Sequence, residues 1–274
     1  MKNLQVSPSG VSWLGLFLCG ILNLTVMLGD DATPAVPPER KPTAREIALY
    51  HLGLNDQPPV QPISEDETGF VSIFDGKTLT GWDGDPKYWR VENGELVGEV
   101  TPETLLSRNT FVIWRGGTPH NFELKGEYRI SAHGNSGINY RSIELPGLRW
   151  AMEGYQFDIE GFQRWTGQNY EERGRSFLAL RGQMTRIEEG QPPIILGQLG
   201  DPKELQSFVK AEDWNQVDLI VRDNIVIHIL NGHVMSAVID DDSKNRHLEG
   251  LIGVQVHVGP PMKVEYKNLR LKNL

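Results

Sequence analysis

Cysteine is all but absent from this 274-residue sequence: the single one, Cys19, lies inside an apolar stretch near the N-terminus. If that stretch is removed on export, no thiol remains, and disulfides, thiolate nucleophiles and cysteine-held metals drop out. Basic charge is also short. Lys and Arg total 27 against 36 Asp and Glu, a net charge of −9. Phosphate binding needs a basic surface, so nucleic acid is not expected as a partner, whereas a neutral ligand such as a sugar is not excluded. The sequence also lacks an internal repeat of fixed period and, from Gly69 onward, any long amphipathic helical pattern.

Long apolar runs are missing too, with one exception. "VSWLGLFLCGILNLTVML" occupies residues 11–28, behind Lys2 and ahead of Asp30 and Asp31. Residues 1–30 therefore read as a signal peptide or an uncleaved membrane anchor, and that segment is the one expected membrane contact. The expected location is secreted, periplasmic or at the cell envelope of a bacterium. Residues 31–68 read as a Pro-rich linker, mostly disordered. "ATPAVPPERKPT" and "NDQPPVQPISEDET" cannot bury much surface, and "AREIALYHLGL" between them has the apolar character of a short helix.

What the rest of the chain has is turns and short alternating runs. Gly reaches 29 and Pro 17, which favours turns over helices. "YWRVENGELVGEV" carries Asn93-Gly94 between apolar runs, a hairpin signal. "NQVDLIVRDNIVIHILNGHVMSAVID" reads as three strands joined by turns at Asp223-Asn224 and Asn231-Gly232. Residues 69–274 are thus expected to form one all-β domain, an antiparallel β-sandwich.

Three of these strands have a polar side of unusual composition. In "GYQFDIE", Gln156, Asp158 and Glu160 alternate with Tyr155, Phe157 and Ile159. In "GINYR", Asn139 and Arg141 oppose Ile138 and Tyr140, and in "GVQVHV", Gln255 and His257 oppose Val254, Val256 and Val258. Side chains alternate between the faces of a strand, so adjacency in one sheet would merge these groups into a single hydrogen-bonding surface. A half-exposed sheet is polar outside in any case. Amides, guanidinium and imidazole are nevertheless poor strand fillers and well suited to paired hydrogen bonds with neighbouring hydroxyls. Trp150 and Trp165 lie close enough in sequence to stack on a sugar ring, although Trp is also an ordinary core residue.

"GFVSIFDGKTLTGW", "ELKGEYRISAHGNSGINYRS", "GYQFDI", "DWNQVDLIVRDNIVIHILNG" and "GLIGVQVHVGPPMKVEYKNLRLK", in that order and spacing, resemble the 3-keto-disaccharide hydrolase domain family. The resemblance runs from about Gly69 to the C-terminus. It implies a concanavalin-like jelly roll, a carbohydrate partner and hydrolysis of glycosides oxidised at C3. Many members carry Glu where this chain has Gln156; a Gln can bind a hydroxyl but cannot act as a base.

Two chemistries then compete. A conventional glycosidase needs two carboxyls ~5–5.5 Å apart for retention or ~6.5–9.5 Å for inversion; Asp158 and Glu160 are one pleat apart, with Cα atoms roughly 6.5–7 Å from each other, and Glu171 or Glu172 are further partners. A 3-keto sugar offers another route, in which a base removes the C2 proton, the enolate expels the C1 substituent, and water adds back. Asp158 is the first candidate base and His257 the second. Arg141 would stabilise the enolate and Glu172 would assist, so these four form the expected catalytic set. Asn135, Ser136, Asn139, Gln156, Glu160, Arg175 and Gln255 form the expected substrate-binding set. Each has a plainer alternative: a turn at Asn135 and Ser136, ion pairs for Arg141 and Arg175, a hydrogen-bonded strand histidine for His257. No cofactor is expected, and a divalent metal held by His257, Asp158 and Glu172 stays open on ligand type. A non-catalytic carbohydrate-binding module and an adhesion domain at the envelope are the competing functions.

Overall fold

The computed structural model describes residues 67–274. The expected leader, linker and short helix, and Cys19, lie outside these residues.

Among the described residues there are seventeen strands and one helix. The strands are β1 (Val71–Ser72), β2 (Trp82–Asp83), β3 (Trp89–Glu92), β4 (Glu95–Val100), β5 (Thr110–Trp114), β6 (Phe122–Ile130), β7 (Asn135–Glu144), β8 (Met152–Glu160) and β9 (Asn169–Glu172). They continue with β10 (Ser176–Ala179), β11 (Gln183–Ile187), β12 (Ile194–Gln198), β13 (Asn215–Arg222), β14 (Ile225–Leu230), β15 (His233–Asp240), β16 (Leu251–Val256) and β17 (Met262–Asn273). Helix α1 (Pro202–Ser207) is capped by the Asp201 carboxylate, which accepts from the Lys203 and Glu204 amides.

The strands form a sandwich of two sheets. The ten-stranded sheet runs β12-β11-β15-β14-β13-β6-β17-β4-β3, with β1 added against β17; the seven-stranded sheet runs β10-β9-β8-β7-β16-β5-β2. Every pairing is antiparallel except β11 against β15. The hairpins form where the turn residues require them. Asn93 and Gly94 join β3 to β4 with φ of 54° and 86°, and Asn231 and Gly232 join β14 to β15 with φ of 49° and 80°, the left-handed conformations a two-residue hairpin needs.

Between the sheets lies the apolar core. Ile138, Tyr140, Tyr155, Phe157 and Val254 from one layer meet Phe122, Leu124, Leu219, Val264 and Tyr266 from the other. On β6 the burial alternates strictly, as on a strand with one wet face. On β8 it does not: from Gly154 to Glu160 every residue is buried. The polar row Gln156, Asp158 and Glu160 is therefore covered rather than solvated. Met152, on the same face, packs with Phe111 and Ile113 of β5 in a second, small apolar cluster, which closes off one end of this face.

Candidate active site

β8, β7 and β16 are neighbours in the seven-stranded sheet, so the amides and acid of three distant segments do share a face. Register places Gln156 opposite Asn139 and Asp158 opposite Gly137. Across the other edge of β8, Gln156 lies opposite Tyr170 and Gly154 opposite Glu172, and Phe177 of β10 lies opposite Tyr170. Tyr170, Glu172 and Phe177 thus stand on the same side as Asp158. With Trp165, Asn135 and the segments at Arg108–Asn109 and His257–Val258 they line a cleft of about 560 Å³.

Two local structures raise its walls. The loop after β8 folds back on Asp158 through main-chain bonds, Asp158 N to Gln168 O (3.2 Å) and Gly167 N to Asp158 O (3.0 Å). Arg181 Nη1 donates to the carbonyls of Gln163 and Thr166, both at 2.9 Å, and so holds Trp165 over the cleft. The second wall is the β9–β10 hairpin. The segment that reads as a charged loop in sequence is this hairpin, with Arg173 at its turn in a left-handed conformation. Trp165 packs on Phe177 at 5.2 Å between ring centroids, and Phe177 on Tyr170 at 5.1 Å. The result is a continuous aromatic wall. Trp165 remains 36% exposed, an available stacking surface.

Asp158 lies in the floor. Burial is the main reason its carboxyl is pushed up to about 8, and the charges of Glu160 and Glu172 push in the same direction; a hydrogen bond from Gln156 opposes them. Gln156 Nε2 donates to Asp158 Oδ1 at 3.3 Å, and Gln156 Oε1 accepts from Gln255 Nε2 at 3.2 Å. Asn139 is fully buried beside them, with neither amide atom engaged by a protein group. Glu172 Oε1 accepts from Asn109 Nδ2 at 3.1 Å and lies 3.8 Å from Arg173 Nε. Burial, followed by the charges of Glu172 and Asp158, raises the Tyr170 phenol. His257, at the rim, directs Nδ1 at the Val258 carbonyl, 2.6 Å away.

The structure brings together Asp158, Glu172, His257, Asn135 and Gln156 as lining groups, with Gln255 and Asn139 beneath. Four expected site residues are elsewhere. Arg141 is buried at the end of the sandwich. The β7–β8 register shifts between Tyr140 and Ile143 and Arg141 has φ of 45°, so the side chain leaves the alternating pattern. Its guanidinium donates to the carbonyls of His120 (2.6 and 3.0 Å), Asp223 (2.6 Å) and His247 (3.4 Å). It ties three connecting segments together and does not reach the cleft. Ser136 points into the core, where its hydroxyl contacts the Gln255 carbonyl and, at 2.7 Å, the Tyr266 hydroxyl. Glu160, at the last position of β8, accepts from the Arg164 amide and guanidinium, both at 2.9 Å. Arg175 lies behind the hairpin and joins Glu171 (2.7 Å) to Asp240 (2.7 Å) at the end of β15 and Asp242 (3.3 Å) just after it; it braces the wall from behind.

Tyr170, Phe177, Arg108, Asn109 and Ser176 line the cleft without being singled out by the sequence. Tyr170 and Phe177 face each other across the β9–β10 hairpin, a pairing masked in the sequence by the charged residues between them. Among the described residues no group of three or more His, Cys, Asp or Glu side chains is close enough to hold a metal ion.

A family profile described as the 3-keto-alpha-glucoside-1,2-lyase-like domain matches residues 69–272. A 3-keto-disaccharide hydrolase from Bacteroides thetaiotaomicron is 36% identical over 87 residues, 29% of this chain and 30% of that protein; the match spans under a third of that relative's length. Two solved structures of Parabacteroides distasonis proteins, each named as a candidate glycosyl hydrolase, superpose with TM-scores of 0.50. One is 23% identical and covers 75% of this chain and 94% of its own; the other is 18% identical and covers 75% and 99%. At these identities the likeness is one of fold.

Proposed function

Because the chain belongs to the 3-keto-alpha-glucoside-1,2-lyase-like domain family, we propose that its cleft cleaves the glycosidic bond of a sugar oxidised at C3, with Asp158 as the proton-transfer group. The observation that carries this reading is the placement of Asp158: a carboxyl buried in the floor of a sugar-sized cleft, beneath an aromatic wall, and raised to about 8 by that burial. A group tuned near the working pH both takes and returns a proton efficiently.

The steps follow from the substrate's chemistry. The C3 ketone acidifies the hydrogen on C2. The Asp158 carboxylate accepts that proton, and the electron pair of the broken C–H bond moves toward C3 as an enolate. The enolate collapses, forms a C1–C2 double bond and expels the oxygen at C1, which takes up a proton as it leaves. Water then adds at C1 and a proton returns to C2, so the net change is hydrolysis. With Arg141 outside the cleft, the groups available to a ketone oxygen are Arg108, Arg173 and the His257 ring. Glu172 is the second carboxyl of the wall and can take the proton of the incoming water. Glu160 is occupied by Arg164, which weighs against a two-carboxylate displacement built on Asp158 and Glu160.

A second reading, carbohydrate binding without cleavage, is favoured by one feature. Both ends of the Gln156 amide are engaged inside the protein, and an amide cannot act as an acid or a base. Incubation of purified protein with 3-keto glucosides separates the two readings. Release of the C1 substituent supports the hydrolytic reading, binding without release supports the second, and the absence of both binding and release would discard both.

A further inference from the structure

The outer face of β8, β7 and β16 is ordered in two rows. Asp158 lies opposite Gly137, and Gln156 opposite Asn139. Asn139 lies opposite Gly253 on β16, so Gln255, two residues further along β16, is level with Gly137. The first row is therefore Asp158, a position with no side chain, and Gln255. Gln156 leans out of the second row into that gap. A Cβ on Gly137 would stand 2.4 Å from Gln156 Cδ and 2.7 Å from its Nε2. From there Gln156 reaches both neighbours, donating to Asp158 and accepting from Gln255.

We propose that Gln255 is a positioning residue for Asp158: by donating to Gln156 across the gap at Gly137, it turns the Gln156 amide so that its N–H end, not its oxygen, faces the carboxyl. The assignment rests on the reading of Asp158 as the proton acceptor. An amide's two ends are similar in size and opposite in hydrogen-bonding sense. An N–H facing the carboxyl favours the ionised, basic form, whereas an oxygen there would favour the acid. The other groups around Asp158 work differently. Glu160 on its own strand and Glu172 on β9 oppose ionisation. Tyr170 on β9, Arg173 at the hairpin turn, Arg108 before β5 and His257 after β16 line the same cleft. On β7 the facing position is Gly137, which has no side chain. Gln156 is thus the side-chain donor that Asp158 has, and Gln255 is what orients it.

The test reads Asp158 directly. The protein is labelled with 13C at aspartate side-chain carboxyls, Asp158→Asn assigns the signal, and the resonance is followed against pH without substrate. Gln255→Leu is expected to raise the Asp158 midpoint by about one pH unit, a tenfold loss of the ionised form at neutral pH, and Gln156→Leu to raise it as much. If Gln255→Leu does not fold, as judged by circular dichroism, Gln255→Met takes its place. A midpoint unmoved by the Gln255 variants overturns the proposal, whatever Gln156→Leu does. So does a raised KM with an unshifted pH profile, which would make Gln255 a direct substrate contact. Because the titration needs no substrate, a protein inactive on every 3-keto sugar would refute the proposed function and leave this result standing.

Discussion

The Gln156 side chain fills the space that a side chain at Gly137 would need: a Cβ built there would lie 2.4 Å from Gln156 Cδ. Gly137 is therefore a slot rather than a turn residue, and the smallest substitution should reach the chemistry. Gly137→Ala is expected to expel the Gln156 amide and lower kcat on a 3-keto glucoside about tenfold or more, the equivalent of about 1.4 kcal/mol. Wild-type kcat in a folded Gly137→Ala protein would show that the amide is not needed where it is.

The raised carboxyl of Asp158 fixes the sign of a pH effect on stability. Its folded-state value is about 8 against an ordinary 3.8, so between these values the folded protein holds a proton that the unfolded chain has released. Stability from this group is greatest below pH ~4 and is lost as pH rises toward 8, by at most about 1.4 kcal/mol per pH unit. Asp158→Asn removes the dependence. Its melting temperature should exceed that of the wild type at pH 8 and approach it at pH 4. A constant difference across that range would contradict the assignment.

The aromatic wall should act on binding rather than on turnover. Trp165 is exposed at the cleft and packs on Phe177, so its removal leaves the sandwich core untouched. Trp165→Ala is expected to weaken sugar binding by about 1–2 kcal/mol, roughly five- to thirtyfold in Kd, with kcat changed much less. Isothermal titration with a non-cleaved glycoside measures it.

Arg141 should behave in the opposite way. Its guanidinium is fully buried and satisfies carbonyls from three connecting segments. Arg141→Met leaves these acceptors unpaired and is expected to cost roughly 3 kcal/mol of stability, with kcat of the folded fraction preserved. A stable variant with lost turnover would return Arg141 to the mechanism.

These contrasts show what could be read from sequence and what could not. The hairpins at Asn93-Gly94 and Asn231-Gly232 were legible because two residues with positive φ leave few other options. The alternation from Tyr155 to Glu160 was legible because the period of a strand is two, and it placed Gln156 and Asp158 correctly on one face. The same rule failed one strand away. A bulge between Tyr140 and Ile143 reverses Arg141, and alternation has no means of anticipating a bulge. Ser136 follows from the pleat: adjacent to a lining residue, Asn135, it must face the other way. Glu160 shares the face of Asp158 but ends its strand, where the loop at Arg164 captures it. Tyr170 and Phe177 were hidden because their segment reads as a charged loop. The charges are in fact the brace at Arg175, Glu171 and Asp240, and the rings they leave facing inward are the wall.

The central claim is that Asp158 takes the proton from C2. The direct measurement is cleavage of a 3-keto glucoside carrying deuterium at C2, by the wild type and by Asp158→Asn, across pH 5–9. The account expects slower cleavage of the deuterated sugar, loss of the label to solvent, a rate that climbs with pH toward about 8, and no turnover by the folded variant. Equal rates for both sugars with the label retained at C2, or undiminished cleavage by Asp158→Asn, would contradict it.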